Sequence, residues 1–206
     1  MKNKIIIIIL IVLVIALAGA VGVYFFKKTP AGNQKETENG VRTGNQVNTG
    51  QPQNKIITDD FSIDLPSGWK QTAPAIGASA MAVNASENID DPAIQKINFK
   101  SYFAVSYDTL QRKSMNDYLQ TVKSGLSQAI SNVVFTKEQD LTINGRIAHA
   151  IEAELAQQGV NFKILMVVVA GQGEDVWVIS FNTAKSSWDG YKEMLYDTAN
   201  SFILKK

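Results

Sequence analysis

The sequence predicts an α+β fold in which a central antiparallel β-sheet of about six strands lies between helices, preceded by one N-terminal transmembrane helix. An uncharged apolar run occupies Ile5 to Phe26. After Ile56, several segments alternate apolar and polar residues with period two, and two others repeat apolar residues every three or four positions. We therefore expect an anchor at residues 1–28, a polar linker at residues 29–55 and one domain at residues 56–206.

The apolar run is long enough to cross a bilayer, because a helix needs about 20 residues to span about 30 Å of hydrocarbon. Tyr24 to Phe26 precede Lys27 and Lys28, which is typical of a membrane boundary. The alternative is a signal peptide cleaved near Ala20, since Ala18-Gly19-Ala20 has the small-x-small spacing of a cleavage site. The run continues without a polar break to Phe26, which favours an uncleaved anchor.

Basic residues flank the anchor on both sides, so charge alone does not decide its orientation. The short basic start resembles a signal-anchor, and we expect the domain outside the cytoplasmic membrane. Thr29 to Asn54 is rich in Gly, Asn, Gln and Thr and has no aromatic residue. Such a segment buries too little apolar surface to offset its ordering entropy, so we expect a flexible spacer with an average reach of roughly 25 to 30 Å.

Charge and cysteine content narrow the function classes. Ile56 to Lys206 contains 13 Lys and Arg against 17 Asp and Glu, a net charge of −4. A nucleic-acid-binding domain needs a basic face, so we expect no nucleic-acid partner. The chain has no cysteine, which excludes disulfides, thiolate metal sites and a cysteine nucleophile.

The domain begins with strand signals. Phe61 to Leu65 alternates apolar and polar residues, and Pro66 ends the strand because it has no N–H to donate. Ser67-Gly68 then predicts a turn before Trp69. Two further strands are predicted at Ile76 to Val83 and Ile97 to Tyr107. The residues that we expect on one face of the second of these are Phe99, Phe103, Val105 and Tyr107.

Two amphipathic helices are predicted, one on each side of a run of strands. The first spans Met115 to Ile130 and is preceded by Ser114, which forms a capping box with Asp117 in place of the usual Glu. The second spans about Ser187 to Leu204. A membrane-surface role for this last helix is weaker, because its polar face mixes acidic and basic residues.

Four strand segments separated by short turns predict an antiparallel meander between these helices. Asn144-Gly145 is the strongest hairpin signal, with Gln158-Gly159 and Gly171-Gln172-Gly173 as the other turns. Ile164 to Ala170 is apolar at every position, so we expect that strand to be central and covered on both faces. The four segments are Val133 to Glu138 with a continuation at Leu141 to Ile143, Arg146 to Ala156, Val160 to Ala170 and Val176 to Thr183.

This order of elements, opened by Phe61-Ser62-Ile63-Asp64-Leu65-Pro66-Ser67-Gly68-Trp69, resembles the PsbP-like superfamily. The resemblance covers Ile56 to Lys206. It implies a central antiparallel sheet between helices, used mostly for protein contacts rather than chemistry, and it implies no catalytic set. The chain departs from the lipid-anchored relatives in that family, because it has no lipid-modified cysteine and carries the predicted transmembrane helix.

His149 is the single histidine of the chain. Alternation places it with Ile147, Ile151 and Leu155, opposite Glu152 and Glu154. A Ser-His-Asp hydrolase or a multi-histidine metal site would depend on it, but we interpret it as a packed or pocket-edge residue.

Acidic pairs are the other candidates for chemistry. Glu152 and Glu154 share a strand face, where two carboxylates can act as acid and base or hold Ca²⁺, although a solvated strand end is the more common reading. The remaining pairs are Asp59-Asp60, Asp90-Asp91 and Glu174-Asp175, and none has EF-hand spacing.

The other motifs are weak. Gly171-Gln172-Gly173 lacks the third glycine of a dinucleotide fingerprint, and Asn84-Ala85-Ser86 matches a glycosylation sequon that matters only in a eukaryotic secretory route. Trp69, Trp177 and Trp188 fit a ligand groove, but large aromatic residues are by default core residues.

We therefore expect no catalytic, cofactor or metal site. The sequence favours a non-catalytic module that binds a protein or an envelope component. The alternative is a small-ligand carrier or weak hydrolase with a cavity between sheet and helices.

Overall fold

A computed structural model describes residues 54–205 of the chain. The predicted anchor, Ile5 to Phe26, lies outside these residues, as does the predicted linker apart from Asn54 and Lys55. Lys55 is the first residue of a strand. None of the helices between residues 54 and 205 combines the length and the apolar character needed to cross a membrane.

The described residues form two antiparallel sheets and three α-helices. The strands are β1 (Lys55–Ile57), β2 (Phe61–Asp64), β3 (Trp69–Thr72), β4 (Ala80–Asn84), β5 (Tyr102–Thr109), β6 (Val134–Ile143), β7 (Arg146–Gln157), β8 (Val160–Ala170), β9 (Asp175–Ala184) and β10 (Ile203–Leu204). The helices are α1 (Pro92–Lys96), α2 (Met115–Ala129) and α3 (Trp188–Asn200), and a 3-10 turn at Lys185–Ser187 precedes α3.

The main sheet has seven strands in the order β3-β4-β5-β9-β8-β7-β6, and the small sheet has three in the order β1-β2-β10. Strands β6 to β9 are sequential neighbours, which confirms the predicted meander. Asn144 and Gly145 both have positive φ, 47° and 79°, and Gln158 and Gly159 repeat this at 52° and 78°. Two consecutive positive φ angles make the mirror-image turn whose twist matches that of the strands.

Helices cover both faces of the main sheet, as predicted. On one face α3 and the small sheet enclose a core that includes Phe61, Phe103, Phe181 and Phe202. On the other face α2 and α1 cover a core that includes Phe162, Leu126 and Ile94. Strand β8 is buried on both faces along nearly all its length, which confirms the prediction that it is central.

The α2 helix begins as its sequence predicts. The Ser114 hydroxyl accepts a hydrogen bond from the Asp117 backbone N–H at 3.1 Å and donates one to the Asp117 carboxylate at 2.7 Å. The cap satisfies one of the free N–H groups of the first turn. Tyr118, Leu119, Val122 and Leu126 then lie buried against the sheet.

The first third of the domain differs from the prediction. The prediction of about six strands was too low, because Trp69–Thr72 is a short edge strand of the main sheet with no clear alternation. Phe61–Asp64 pairs in the small sheet instead. Strand β4 begins only at Ala80, after an exposed Ile76.

The prediction of a strand from Ile97 is wrong over its first residues. Helix α1 intervenes, with the Asp91 carboxylate accepting hydrogen bonds from the N–H groups of Ala93 and Ile94 and with Pro92 in the first turn. Asp and Pro in these positions are a helix-start signal. Phe99 consequently packs edge-on against Phe162, at 4.9 Å between ring centroids, on the face opposite to Phe103.

The last helix is shorter than predicted. It ends at Asn200, and Ile203–Leu204 pairs antiparallel with β2 as an edge strand of the small sheet. The register sets Ile203 opposite Ser62 and Leu204 opposite Phe61. The chain end thus links the helix to the small sheet rather than extending the helix.

Candidate functional site

A partly open cleft of about 500 Å³ lies where the small sheet meets one end of the main sheet. We call it the end cleft. Its floor comes from the main sheet and the β8–β9 turn, namely Ser79, Tyr107, Gln172, Asp175 and Trp177. Its wall comes from the small sheet, namely Asp60, Leu204 and Lys205.

Tyr107 is the most accessible aromatic ring in the end cleft. It is 45% exposed although it lies within β5. Its hydroxyl donates a hydrogen bond to Asp175 Oδ1 at 2.7 Å, and its ring meets Trp177 edge-on with centroids 5.4 Å apart. The bond to the Asp175 carboxylate raises the pKa of Tyr107 above its usual value. Both the ring and the hydroxyl of Tyr107 are therefore held by neighbouring side chains.

The β8–β9 turn holds Asp175 in place. The Gly171 N–H donates to the Asp175 carbonyl at 2.7 Å, and the Asp175 N–H donates to the Gln172 carbonyl at 2.9 Å. A Cβ on Gly171 would lie 2.5 Å from the Asp175 Cβ, so only glycine permits this approach. The predicted turn is confirmed, and it positions a carboxylate of the end cleft.

The small sheet forms the rim of the end cleft. The Lys205 N–H donates to the Asp60 carbonyl at 2.7 Å, and its ammonium donates to the Thr58 carbonyl at 2.5 Å. Ile57 and Ile203 both lie opposite Ser62 in the register, one from each side, and both are solvent-exposed at 66% and 44%. They make an apolar row on the outer face of the small sheet, which we call the rim row.

A buried ionic cluster lies between the main sheet and α3. Glu152, with 2% of its surface exposed, accepts a hydrogen bond from the Tyr196 hydroxyl at 2.9 Å, and its Oε2 lies 3.3 Å from the Lys163 ammonium. The Lys163 ammonium also lies 4.8 Å from the centroid of the Trp188 ring. Glu152 is thus not at a solvated strand end, because α3 covers the face on which the alternation places it.

Glu154 is nearer to solvent than Glu152. It pairs with Lys185 at 2.6 Å and with Lys163 at 3.5 Å. The hydrogen bond from Lys185 lowers the pKa of Glu154. The two glutamates are both in ion pairs. Their partners are lysines of β8, of the turn before α3 and of α3 itself, where Lys192 lies 3.9 Å from Glu152 Oε1.

A second polar cluster holds the other flank of α3. Both oxygens of Glu87 accept hydrogen bonds from Ser101, one from its backbone N–H and one from its hydroxyl, the latter at 2.8 Å. The Tyr191 hydroxyl accepts a hydrogen bond from Asn84 Nδ2 at 3.1 Å. Burial, followed by the nearby Glu87, raises the pKa of Tyr191 to about 12. Helix α3 is therefore fixed to the sheet by a tyrosine on each flank.

His149 lies on the α2 face, as the alternation predicts. Its Nδ1 is 2.7 Å from Asp140 Oδ1 and its Nε2 is 3.4 Å from Glu138 Oε2. Lys123 of α2 also contacts Glu138 at 2.9 Å, and this hydrogen bond lowers the pKa of Glu138. The histidine belongs to a charged network at the sheet edge and is not in the end cleft.

The predicted acidic pairs separate into different roles. Asp91 caps α1, and Glu174 accepts a hydrogen bond from the Arg112 N–H at 3.2 Å. Asp60 and Asp175 belong to different acidic pairs of the sequence, and both line the end cleft. Between residues 54 and 205, no group of three or more acidic or histidine side chains is arranged to hold a metal ion.

The three tryptophans are core residues, each 5% exposed. Trp177 in addition lines the end cleft. Sequence reasoning did not select Tyr107, Ser79 or Gln172, because each lies in a different strand or turn. The single local signal is that Tyr107 continues the alternation of Phe103 and Val105 towards the end of β5, which is Thr109.

No protein-family model matches the chain, and no curated protein matches its sequence. Solved structures do match its fold. The cyanobacterial PsbP (CyanoP) of Synechocystis is 14% identical with a TM-score of 0.55, covering 79% of this chain and 98% of that one. LpqN of Mycobacterium tuberculosis, involved in cell envelope biogenesis, is 14% identical with a TM-score of 0.51, covering 77% and 88%. A protein of unknown function from Pseudomonas aeruginosa is 13% identical with a TM-score of 0.51, covering 70% and 92%. At these identities the likeness concerns the fold, which is PsbP-like.

Proposed function

We propose that this chain is a non-catalytic binding module, tethered by Ile5 to Phe26 and presented outside the cytoplasmic membrane, that binds a protein or another envelope component. Its binding face is the end cleft together with the rim row. The observation that carries the proposal is the exposure of Tyr107 in the cleft and of Ile57 and Ile203 on the outer face of the small sheet, the sheet that supplies one wall of the cleft.

Exposed aromatic and aliphatic side chains close to a polar cleft are typical of interaction surfaces, in which an apolar centre has a polar rim. The other strongly polar clusters of the domain are less suited to binding. Glu152 and Glu87 are buried and engaged by their own neighbours. They hold α3 in place rather than facing a partner.

The packing also favours a module over a carrier with a cavity between sheet and helices. Aromatic rings fill the space beneath α3 and the small sheet, where Phe61 lies 5.2 Å from Trp177 and Phe103 lies 5.4 Å from Phe181, measured between ring centroids. The end cleft lies instead at the periphery of this core. The fold likeness to LpqN, a protein involved in cell envelope biogenesis, agrees with an envelope setting.

The tether fits this role. The strand β1 begins at Lys55, directly after the predicted linker, and its other end leads into the turn that contributes Asp60 to the end cleft. A flexible spacer of 26 residues reaches roughly 25 to 30 Å on average. The binding face thus stays within a short distance of the bilayer surface.

Two measurements test the proposal. The domain should be digested by protease added to intact cells once outer layers are removed, and protection of the domain would overturn the orientation. The full chain, held in detergent, should also cosediment with envelopes whose lipid has been extracted, so that Ile5 to Phe26 has no bilayer to enter. Ile57→Asp with Ile203→Asp should weaken that association. Val134→Asp, at an exposed site on the edge strand β6, is the matched control. Equal binding by all variants would remove the rim row from the binding face.

A further inference from the structure

We propose that the end cleft binds a saccharide chain, one sugar ring of which packs on the exposed side chain of Tyr107. This inference rests on the proposed function and names the class of its ligand. Three features of the cleft carry it: its shape, its fixed aromatic ring and the kinds of polar groups that converge on it.

The shape and lining favour an extended polar ligand. The cleft has room for about 500 Å³ and is partly open, and most of its lining residues carry polar side chains. Small apolar ligands prefer enclosed pockets with mostly hydrophobic walls. A chain-like, hydroxyl-rich ligand fits an open polar cleft better, because its ends can extend into solvent.

The side chain of Tyr107 is already ordered before a ligand binds. Its hydroxyl donates to Asp175 at 2.7 Å and its ring makes a T-shaped contact with Trp177, while 45% of the residue remains exposed. A ring that is already ordered loses little conformational entropy when a ligand packs on it. The negative face of an aromatic ring attracts the weakly positive C–H groups that line one face of a sugar ring.

The polar groups around this ring suit hydroxyl groups. Asp60 and Asp175 offer carboxylate oxygens as acceptors, and Gln172 and Ser79 each offer both donors and acceptors. Asp175 uses one oxygen for Tyr107, but a carboxylate has about four acceptor positions. Sugar hydroxyls, which both donate and accept, can therefore bond to every group in this set.

The charged side chains of the cleft favour a neutral ligand over an ionic one. The lining holds two carboxylates and one ammonium, that of Lys205, which disfavours an anion. A cationic peptide is the stronger rival, since it can use Tyr107 and both aspartates. Ion pairs in an open, hydrated cleft contribute only about 0 to 1 kcal/mol, and Lys205 offsets part of the attraction. A neutral polyhydroxylated chain avoids this competition.

The test is a titration of the full chain, solubilised in a detergent without a sugar headgroup. The probes are a β1,4-linked N-acetylglucosamine tetrasaccharide, maltotetraose and tetralysine. The signal is tryptophan fluorescence, because Trp177 lies 5.4 Å from Tyr107. We expect one of the two saccharides to bind with a Kd of about 1 mM, with the same Kd at about 0.5 M NaCl because a neutral ligand is not subject to salt screening.

Variants locate the site. Tyr107→Ala should weaken saccharide binding by a factor of about three to ten, and Gln172→Ala should weaken it in the same direction. Gln172 lies in a turn, so this second variant keeps the test valid if Tyr107→Ala fails to fold. Val134→Ala, an exposed site on β6 at the opposite end of the sheet, should bind as the wild type does.

Three results would overturn the saccharide assignment. They are no binding of either saccharide at about 20-fold the expected Kd, saccharide binding that Tyr107→Ala leaves unchanged, and salt-sensitive binding of tetralysine in place of the sugars. Cosedimentation with envelopes is measured in parallel. Envelope binding without saccharide binding refutes the ligand class alone, whereas loss of both refutes the proposed function.

Discussion

Replacing Lys163 by Met tests whether the buried ionic cluster stabilises the attachment of α3. The Lys163 ammonium lies 3.3 Å from Glu152 Oε2 and 4.8 Å from the Trp188 ring centroid. Removing one partner of a buried pair costs about 3 to 5 kcal/mol, because the remaining charge stays buried without compensation. In the variant Tyr196 still donates to Glu152, and the Lys192 ammonium still lies 3.9 Å from Glu152 Oε1. We therefore expect the lower half of that range.

The measurement is the free energy of unfolding in urea. With a slope of about 2 kcal/mol per molar urea, a loss of 3 to 4 kcal/mol would lower the unfolding midpoint by about 1.5 to 2 M. The double variant Glu152→Gln with Lys163→Met should lose far less, about 1 to 2 kcal/mol, because neither charge remains and the amide oxygen still accepts the Tyr196 hydroxyl.

Lys185→Met is the control for this experiment. Lys185 pairs with Glu154 at 2.6 Å, but half of its side chain is exposed to solvent. Such surface pairs contribute about 0 to 1 kcal/mol. The reasoning would be refuted if Lys163→Met cost no more than Lys185→Met, or if the double variant were as unstable as Lys163→Met alone.

Three further predictions follow from the same geometry. Asn144 and Gln158 occupy equivalent left-handed positions in two hairpins, but Asn144 Nδ2 also donates to the Phe202 carbonyl, after α3, at 2.7 Å. Asn144→Ala should therefore lower the free energy of unfolding in urea by about 1 kcal/mol more than Gln158→Ala does. Equal losses would contradict this role of Asn144. The pKa of Tyr191 is raised to about 12 from an unfolded value of about 10, so its contribution to stability is complete below pH 10 and is lost as the pH rises towards 12. Tyr191→Phe should make stability fall less steeply across that window, although the raised pKa of Tyr196 still contributes to the fall, and an unchanged slope would count against the shift. The lowered pKa of Glu154 contributes stability that is present above the unfolded pKa and is lost as the pH falls through the folded value. Because Lys185 is the main cause of the lowering, Lys185→Met should move the titration of the Glu154 carboxyl, followed by NMR, to higher pH.

Most of the second half of the domain could be predicted from the sequence, because its signals are local. The stripe of α2 repeats every three or four residues, and its cap lies directly before it. The Asn144-Gly145 and Gln158-Gly159 pairs each take positive φ at the turn between two consecutive strands. These features depend on residues that are close together in the chain.

The first third was harder for a physical reason. Strand β3 has four residues and β1 has three, too few for a period to be recognised. Helix α1 has only five residues, and its cap at Asp91 lies within a predicted loop. Short elements like these are stabilised by what they pack against, and their own sequence carries little of that information.

The burial of the ionic cluster also depends on tertiary packing. Period-two alternation places Glu152 and Glu154 on the same face of β7, and the structure agrees. Whether that face is exposed to solvent or buried depends on where α3 lies. Tyr196 and Lys163 come from α3 and β8, and only the packing of the helix on the sheet brings them to the carboxylate.

The sequence by itself determined the meander, the two long helices with their faces, and the expectation of an anchor and linker before one domain, because each rests on composition or on a local period. The tertiary structure decided the end cleft and the rim row. Asp60, Tyr107, Asp175 and Lys205 are far apart in the chain, and the cleft exists because β10 returns to pair with β2 beside the ends of β5 and β9. A site assembled from long-range strand pairing leaves no pattern in any single stretch of sequence.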